Sequence, residues 1–177
     1  MSHSLVSRPY LDLTLDAMRA FGVEVDVAGD AMAVRRSGYR AADFTVEPDA
    51  STASYFLAAA AVTGTTTRLK RLDRRTTAQG DIELVAFLER MGCVARDGTE
   101  VELTGPQHLR GATVDMGNSS DVFMTLACVA VFADGPTTIE GIGHARVKES
   151  DRIAACAENL RRLGIAVDEG SDYLRVH

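Results

Sequence analysis

The chain repeats itself with a period of about 70 residues, and this repetition constrains its fold more than any other feature. Three segments begin at an aspartate, continue with apolar residues at helical spacing, and end in an apolar residue followed by glycine. The closing glycines are Gly22, Gly92 and Gly164, which lie 70 and 72 residues apart. A glycine in this place suits the left-handed conformation that commonly ends a helix. We therefore expect three copies of one amphipathic helix, each followed by a short strand.

A second element repeats at the same period, in residues 49–72 and 120–143. In both copies an aspartate starts a short polar turn, and an apolar helix, a glycine and a threonine-rich strand follow. A helix that is apolar on all sides is expected to be buried on all sides. One full unit is therefore β-α-β-α-β-β, and the fold class is α/β (α+β). Two units follow Phe44, and the end of another precedes them. A chain that begins inside a repeat is expected to belong to a longer protein.

Bulk properties exclude several functional classes. The net charge of −6 argues against a general nucleic-acid-binding protein. Cys93, Cys128 and Cys156 are far apart and show no metal-binding spacing, which is typical of reduced cysteines in a cytoplasmic protein. The longest apolar stretch, 122–133, is too short to span a bilayer. We expect a cytoplasmic protein without nucleic-acid or membrane partners.

The string "RVKESDRI" (146–153) concentrates charge at the start of the last amphipathic helix. If helical, Lys148 and Arg152 share a face, and a helix start favours a bound anion. The alternative is an exposed helix start with a Glu149–Arg152 pair, and the local string alone favours it. Asp121 precedes the second apolar helix, where a simple N-cap is the corresponding alternative.

Five motifs in order, "SRPYLDLTLDAMRAFGV", "VEPDASTASYFLAAAAVTG", "QGD", "SSDVFMTLACVAVFADG" and "RVKESDRI", resemble the 5-enolpyruvylshikimate-3-phosphate (EPSP) synthase family. The resemblance covers essentially the whole chain from Leu5. It implies the enolpyruvyl transferase fold, an inside-out α/β barrel of six units in two domains of three, here incomplete. Residues 1–43 are then the C-terminal part of one domain, and residues 44–177 are the crossover and two units of the second.

The resemblance also implies a reaction, in which phosphoenolpyruvate reacts with the 5-hydroxyl of shikimate 3-phosphate and phosphate leaves. It implies no metal and no cofactor. Asp121 would act as base at the hydroxyl, and Glu149 would handle the methyl proton. The substrate-binding residues would be Lys148, Ser7, Tyr10 and His144 for shikimate 3-phosphate, and Arg152 for phosphoenolpyruvate. The alternative to substrate binding is a strand end with a turn at Pro9 for "SRPY", and an exposed loop position for His144. The string "QGD" (79–81) is interpreted as the architecture of a helix start and not as part of the site.

Most of the opposing cations of the family's site have no counterpart in these 177 residues, so we expect the chain alone to be inactive. Apolar faces left uncovered by an incomplete domain predict self-association. Two other functions remain open: a non-catalytic module that binds small anions or assists assembly, and a relative of UDP-N-acetylglucosamine enolpyruvyl transferase.

Overall fold

The computed structural model describes residues 7–29 and 31–177, which form an alternation of helices and short strands. In chain order the helices are α1 (Arg8–Ala20), α2 (Ala50–Thr63), α3 (Leu84–Arg90), α4 (Phe123–Ala130) and α5 (Arg152–Arg162). Two 3₁₀ helices are Gly80–Glu83 and Gly143–Val147. The strands are β1 (Val25–Ala28), β2 (Ala31–Val34), β3 (Thr66–Lys70), β4 (Val94–Asp97), β5 (Glu100–Thr104), β6 (Leu109–Arg110), β7 (Thr113–Asp115), β8 (Ala133–Asp134), β9 (Thr137–Glu140), β10 (Val167–Glu169) and β11 (Tyr173–Val176). Within the described residues, no helix is both long and apolar enough to cross a membrane.

The second repeat unit has the predicted β-α-β-α-β-β order in full. Its sheet has the strand order β10-β11-β9-β7, in which β7 and β9 are parallel and the other pairs are antiparallel. The crossover from β7 to β9 contains α4, and α5 follows before the β10–β11 hairpin. The repeat therefore folds as a split unit with two helices beside one mixed sheet.

The first repeat unit lacks its predicted first strand. Its sheet has three antiparallel strands in the order β3-β5-β4, and residues 35–49 contain no helix or strand. Phe44 lies against Phe21 at the end of α1, with the ring centroids 5.6 Å apart. The segment before Pro48 thus packs towards α1 and does not extend the sheet. The prediction of two complete units after Phe44 is wrong at this strand.

The two apolar helices, α2 and α4, pack against each other. Ser54 and Thr125, which lie 71 residues apart in the sequence, hydrogen-bond at 3.2 Å in this contact. Tyr55 and Phe56 on α2 remain 68% and 59% exposed. The prediction that this helix is buried on every side is wrong, because one face of α2 has no partner among the residues that the structure describes.

One hydrophobic core joins both repeat units. Its residues extend from Leu57 to Val176, and those described residues that precede Leu57 lie outside it. The N-terminal part, with α1 and the β1–β2 hairpin, is buried mainly at Leu15 and Val23. The core therefore sets the relative positions of α2 to α5, while α1 lies beside them.

Local signals account for the ends of the helices. Gly22, Gly92 and Gly164 have φ of +82°, +108° and +83°, so the predicted left-handed closing positions are confirmed. The start of α1 differs from the prediction. It begins at Arg8 rather than Asp12, because Pro9 in the first turn suits a helix start and costs no hydrogen bond there. "SRPY" is therefore not a strand end.

Candidate functional site

Asp121 is the centre of a cluster of polar side chains from three parts of the fold. Its Oδ1 accepts hydrogen bonds from the Lys148 amine and, at 2.9 Å, from Arg152 Nη1. Its Oδ2 accepts one from the Tyr10 hydroxyl at 3.1 Å. Tyr10 comes from α1, Asp121 from the turn before α4, and Arg152 from the first residue of α5. The fold thus brings to Asp121 side chains from as far as 111 residues away in the sequence.

Arg152 connects Asp121 with Glu149. Its Nε and Nη2 donate to the two oxygens of Glu149 at 2.8 and 2.9 Å, while Nη1 faces Asp121. The Glu149 side chain is 67% exposed, whereas that of Asp121 is 32% exposed. Hydrogen bonding to Arg152 lowers the pKa of Glu149 below its ordinary value. The two carboxylates therefore share one guanidinium and one face of the molecule.

Lys148 reaches the cluster from a different place than the sequence predicts. It follows the second 3₁₀ helix with extended backbone, at φ −76° and ψ −157°. Lys148 is therefore not helical and does not share a helix face with Arg152, although both cations contact Asp121. Residues 148–151 precede α5. The helix begins after its N-cap, Asp151, whose side chain accepts a hydrogen bond from the Ala154 amide.

Burial raises the pKa of Asp121, but Lys148 lowers it more strongly by hydrogen bonding and by charge, and Tyr10 and Arg152 add to the decrease. The net shift is downward. Asp121 does not act as an N-cap; Val122 has that position. Asp49, at the equivalent place in the first unit, does cap α2 by accepting from the Ser51 amide. The two repeat-related aspartates thus have different roles.

Ser7 and His144 form a second contact near the cluster, with Ser7 Oγ 3.3 Å from His144 Nε2. Ser7 adopts a left-handed backbone with φ of +57°, which is uncommon outside glycine and asparagine. The hydroxyl is turned to His144 and does not cap α1. Burial and the charge of Lys148 lower the pKa of His144, so its neutral form is favoured. His144 is half-buried, not a freely exposed loop residue.

Asp81 belongs to the same cluster, although the sequence predicts only the architecture of a helix start there. It is 2% exposed, its Oδ1 lies 3.0 Å from the Tyr10 hydroxyl, and Ser51 Oγ donates to its Oδ2. Gly80 permits this position, since a Cβ there would clash with the Asn118 carbonyl. Burial raises the pKa of Asp81 and the charge of Asp121 adds to the increase, while contact with the Ser51 and Tyr10 hydroxyls opposes the shift.

Tyr10 lies between two carboxyl groups. Burial raises the pKa of its phenol, and the charges of Asp81 and Asp121 raise it further. Tyr10 is therefore a neutral hydrogen-bonding group and not a proton acceptor through its phenolate.

A hollow of about 310 Å³ beside the cluster is lined by Tyr55, Ala58, Asp121, Met124, Thr125 and Cys128. Larger hollows lie against α2 with β3 and against α1, away from Lys148.

The chemistry of the cluster is that of anion binding and proton transfer. It offers a guanidinium fork, an ammonium group and two carboxylates within one connected hydrogen-bond network. Among the residues that the structure describes, no group of three histidine, cysteine, aspartate or glutamate side chains is placed to hold a metal ion.

Comparison with known proteins places this geometry in a family. The model of the EPSP synthase (3-phosphoshikimate 1-carboxyvinyltransferase) family matches residues 1–177. Two relatives named 3-phosphoshikimate 1-carboxyvinyltransferase, from Nostoc punctiforme and Serratia proteamaculans, are each 47% identical to this chain over 176 and 177 residues. These alignments cover 98% and 97% of this chain and 41% of each relative.

Solved structures agree with the sequence comparison. EPSP synthase from Acinetobacter baumannii superposes with a TM-score of 0.73 at 27% identity, over 93% of this chain and 40% of that protein. The enolpyruvyl transferase NikO from Streptomyces tendae shares the fold with a TM-score of 0.69 at 24% identity, over 97% of this chain and 40% of NikO. The chain therefore has the enolpyruvyl transferase fold in part, and spans about two fifths of the length of its relatives. On this evidence, the chain belongs to the EPSP synthase family.

Proposed function

We propose that this chain contributes one wall of an EPSP synthase active site, which transfers the enolpyruvyl group of phosphoenolpyruvate to the 5-hydroxyl of shikimate 3-phosphate. The observation that carries the proposal is the convergence of Lys148, Arg152 and Tyr10 on Asp121, in a chain of this family. The relatives that share the family name are more than twice as long, so the activity is proposed for the longer protein.

Each side chain has a role that its surroundings support. Asp121 is the base that takes the hydroxyl proton as the oxygen bonds to C2 of phosphoenolpyruvate, and its lowered pKa keeps it ionised at neutral pH. It returns this proton to the phosphate that leaves in the elimination step. Glu149 gives a proton to the methylene carbon, and later removes one from the methyl group as the C–O bond to phosphate breaks. Because Glu149 is ionised beside Arg152, it gains that proton only when a substrate anion takes over the guanidinium.

The cations and hydroxyls supply binding. Arg152 presents a planar fork that matches the carboxylate or phosphate of phosphoenolpyruvate. Lys148 contacts shikimate 3-phosphate as a point charge, and Ser7, Tyr10 and His144 donate to or accept from its polar groups. Incoming anions compete with Asp121 and Glu149 for Arg152, so substrate binding reorganises the ion pairs of the cluster.

The domain organisation is part of the proposal. Residues 1–43 complete one domain, and residues 44–177 are the crossover and two units of the second. Two features support this division: the shared core includes no described residue before Leu57, and α2 leaves Tyr55 and Phe56 exposed. A third repeat unit would cover that face. Without it, the same face supports self-association of the 177-residue chain. The acidic net charge supports the absence of nucleic-acid partners.

The test uses the longer protein and measures phosphate release with both substrates. We expect turnover in the parent and none in the 177-residue chain. Asp121→Asn and Glu149→Gln in the parent should each lower kcat by about 10²-fold or more, as loss of a general acid or base does. Glu158→Gln removes a carboxylate from the same helix as Arg152 and should leave turnover unchanged, because Glu158 forms its ion pair with Arg162, away from the cluster.

Two outcomes would contradict the proposal. Turnover with UDP-N-acetylglucosamine as acceptor in place of shikimate 3-phosphate would assign the parent to the related transferase. Heat release on titration with shikimate 3-phosphate, without any turnover in the parent, would favour the non-catalytic anion-binding module.

A further inference from the structure

The Tyr10 hydroxyl has one proton but lies within hydrogen-bond distance of two carboxyl groups. Asp81 Oδ1 is 3.0 Å away and Asp121 Oδ2 is 3.1 Å away. A phenol donates one hydrogen bond, so it cannot donate to both carboxylates at once. If both were ionised, one contact would bring a lone pair against a negative charge. Both contacts are favourable only if one carboxyl group holds a proton of its own.

The surroundings of the two aspartates decide which one is protonated. Asp121 is in direct contact with two cations, Lys148 and Arg152. Asp81 is 2% exposed, and its hydrogen-bond partners in the described structure are two neutral hydroxyls, those of Tyr10 and Ser51. A buried carboxylate without a contacting cation is costly to ionise, whereas a carboxylate held by two cations is costly to protonate.

We propose that Asp81 is a positioning residue whose carboxyl group is protonated. Its O–H donates a hydrogen bond to the Tyr10 oxygen, and this directs the Tyr10 hydroxyl towards Asp121. Ser51 donates to the other oxygen of Asp81, which completes a chain of hydrogen bonds from α2 through Asp81 and Tyr10 to Asp121. Every donor in this chain has an acceptor, and its direction follows from the single proton on Asp81. The consequence for catalysis rests on the proposed function, whereas the protonation of Asp81 does not.

The charged groups around Asp81 are consistent with this assignment. Asp121 disfavours a second negative charge, and Glu83 on the same 3₁₀ helix is a further nearby carboxylate. The charge of Lys148 opposes protonation, but its amine is already bonded to Asp121. The two carboxylates Asp121 and Glu149 balance the two cations Lys148 and Arg152. An ionised Asp81 would add a negative charge without a cation of its own among the described residues.

The pH dependence of stability tests the protonation directly in the 177-residue chain. An acid whose folded pKa lies above its unfolded value stabilises the fold at low pH, and this contribution disappears as pH rises through the folded pKa. We expect wild type to lose stability relative to Asp81→Asn as pH rises above about 5, with the ratio of their unfolding constants changing by up to about tenfold per pH unit until Asp81 ionises in the folded protein. Asparagine keeps the shape and a neutral donor for Tyr10.

Asp49→Asn is the matched control, because Asp49 is an exposed N-cap whose pKa is lowered by hydrogen bonds from Thr52 and Ser51. Asp49 is already ionised at pH about 5, so the ratio of the unfolding constants of Asp49→Asn and wild type should not change over the same range. A ratio for Asp81→Asn that is flat, or that moves in the opposite direction, would overturn the proposal, because Asp81 would then be an ionised acceptor.

Infrared difference spectroscopy gives a readout that a merely structural role would not produce. At pH about 5, above the ordinary aspartate pKa, the wild type minus Asp81→Asn spectrum should show the carbonyl band of a protonated carboxylic acid. A spectrum without this band would refute the protonated state. Asp81→Ala leaves the Tyr10 oxygen without its donor and should be less stable than Asp81→Asn at every pH; equal stability would also contradict the proposal. None of these measurements depends on transferase activity.

Discussion

Replacing Asp121 by asparagine removes the negative charge that holds two cations together, and the structure allows its cost to be worked out. Asp121 accepts hydrogen bonds from Lys148 and Arg152, whose side chains are 24% and 21% exposed, and its own is 32% exposed. Exposed ion pairs contribute about 0–1 kcal/mol, and breaking a fully buried pair costs about 3–5 kcal/mol. The partial burial of this cluster places the loss of unfolding free energy at about 2–3 kcal/mol.

The assay is urea denaturation of the 177-residue chain followed by circular dichroism. Glu149→Gln is the matched control, because it removes a carboxylate from the same guanidinium at a largely exposed position, and should change stability much less. The pKa of Asp121 is lowered in the fold, so its stabilisation is present above the unfolded pKa of about 4 and is lost as pH falls through the folded value. The difference between wild type and Asp121→Asn should therefore shrink on acidification.

Inorganic phosphate adds a second arm to the experiment. With Asp121 neutralised, Lys148 and Arg152 should bind phosphate more tightly, so added phosphate should recover stability in Asp121→Asn more than in wild type. If Asp121→Asn lowers the free energy of unfolding by less than about 0.5 kcal/mol, or by no more than Glu149→Gln does, the Asp121 carboxylate does not organise the cluster. That result would falsify the argument from partial burial.

Three further predictions concern the core, the contact between the two apolar helices, and His144. Ser54→Ala should cost about 1–2 kcal/mol of unfolding free energy, because it leaves the buried Thr125 hydroxyl without its partner, and adding Thr125→Val should recover part of the loss. Phe123→Ala should cost about 3–5 kcal/mol in the same denaturation assay, since Phe123 is fully buried on α4; a loss under 1 kcal/mol would contradict its place in the core. His144 should titrate by NMR below the ordinary histidine pKa, and Lys148→Met should raise its midpoint; no change would show that Lys148 does not act on it.

The sequence predicted those features of the fold that depend on local conformation. The closing glycines follow from backbone preferences that a few residues determine, and the structure confirms them. The missing first strand could not be predicted in this way, because Phe44 has a partner, Phe21, that is distant in sequence. The exposed face of α2 likewise depends on what packs against it and not on its own apolar composition.

The same distinction holds for the candidate site. Asp121, Lys148, Glu149 and Arg152 could be selected from the sequence because their charges are concentrated around two helix starts and match a family motif. Asp81 was missed because an aspartate at a helix start is usually a cap, as Asp151 is on α5. What distinguishes Asp81 is a tyrosine 71 residues earlier in the chain, and only the folded structure brings the two together.

Tyr10 lies on α1 and Ser7 directly precedes it, and this helix lies beside the shared core and not within it. Their hydroxyls contact Asp81, Asp121 and His144 on the core side. Undocking of α1 would therefore dismantle these contacts while the two repeat units stay folded. Amide hydrogen exchange should accordingly be faster along α1 than along α4, and its rate in α1 should respond to substitutions at Tyr10 that leave the protection of α4 unchanged. We therefore expect the cluster to open at a lower free energy than the two repeat units unfold, which would couple ligand binding at the cluster to a local motion of one helix.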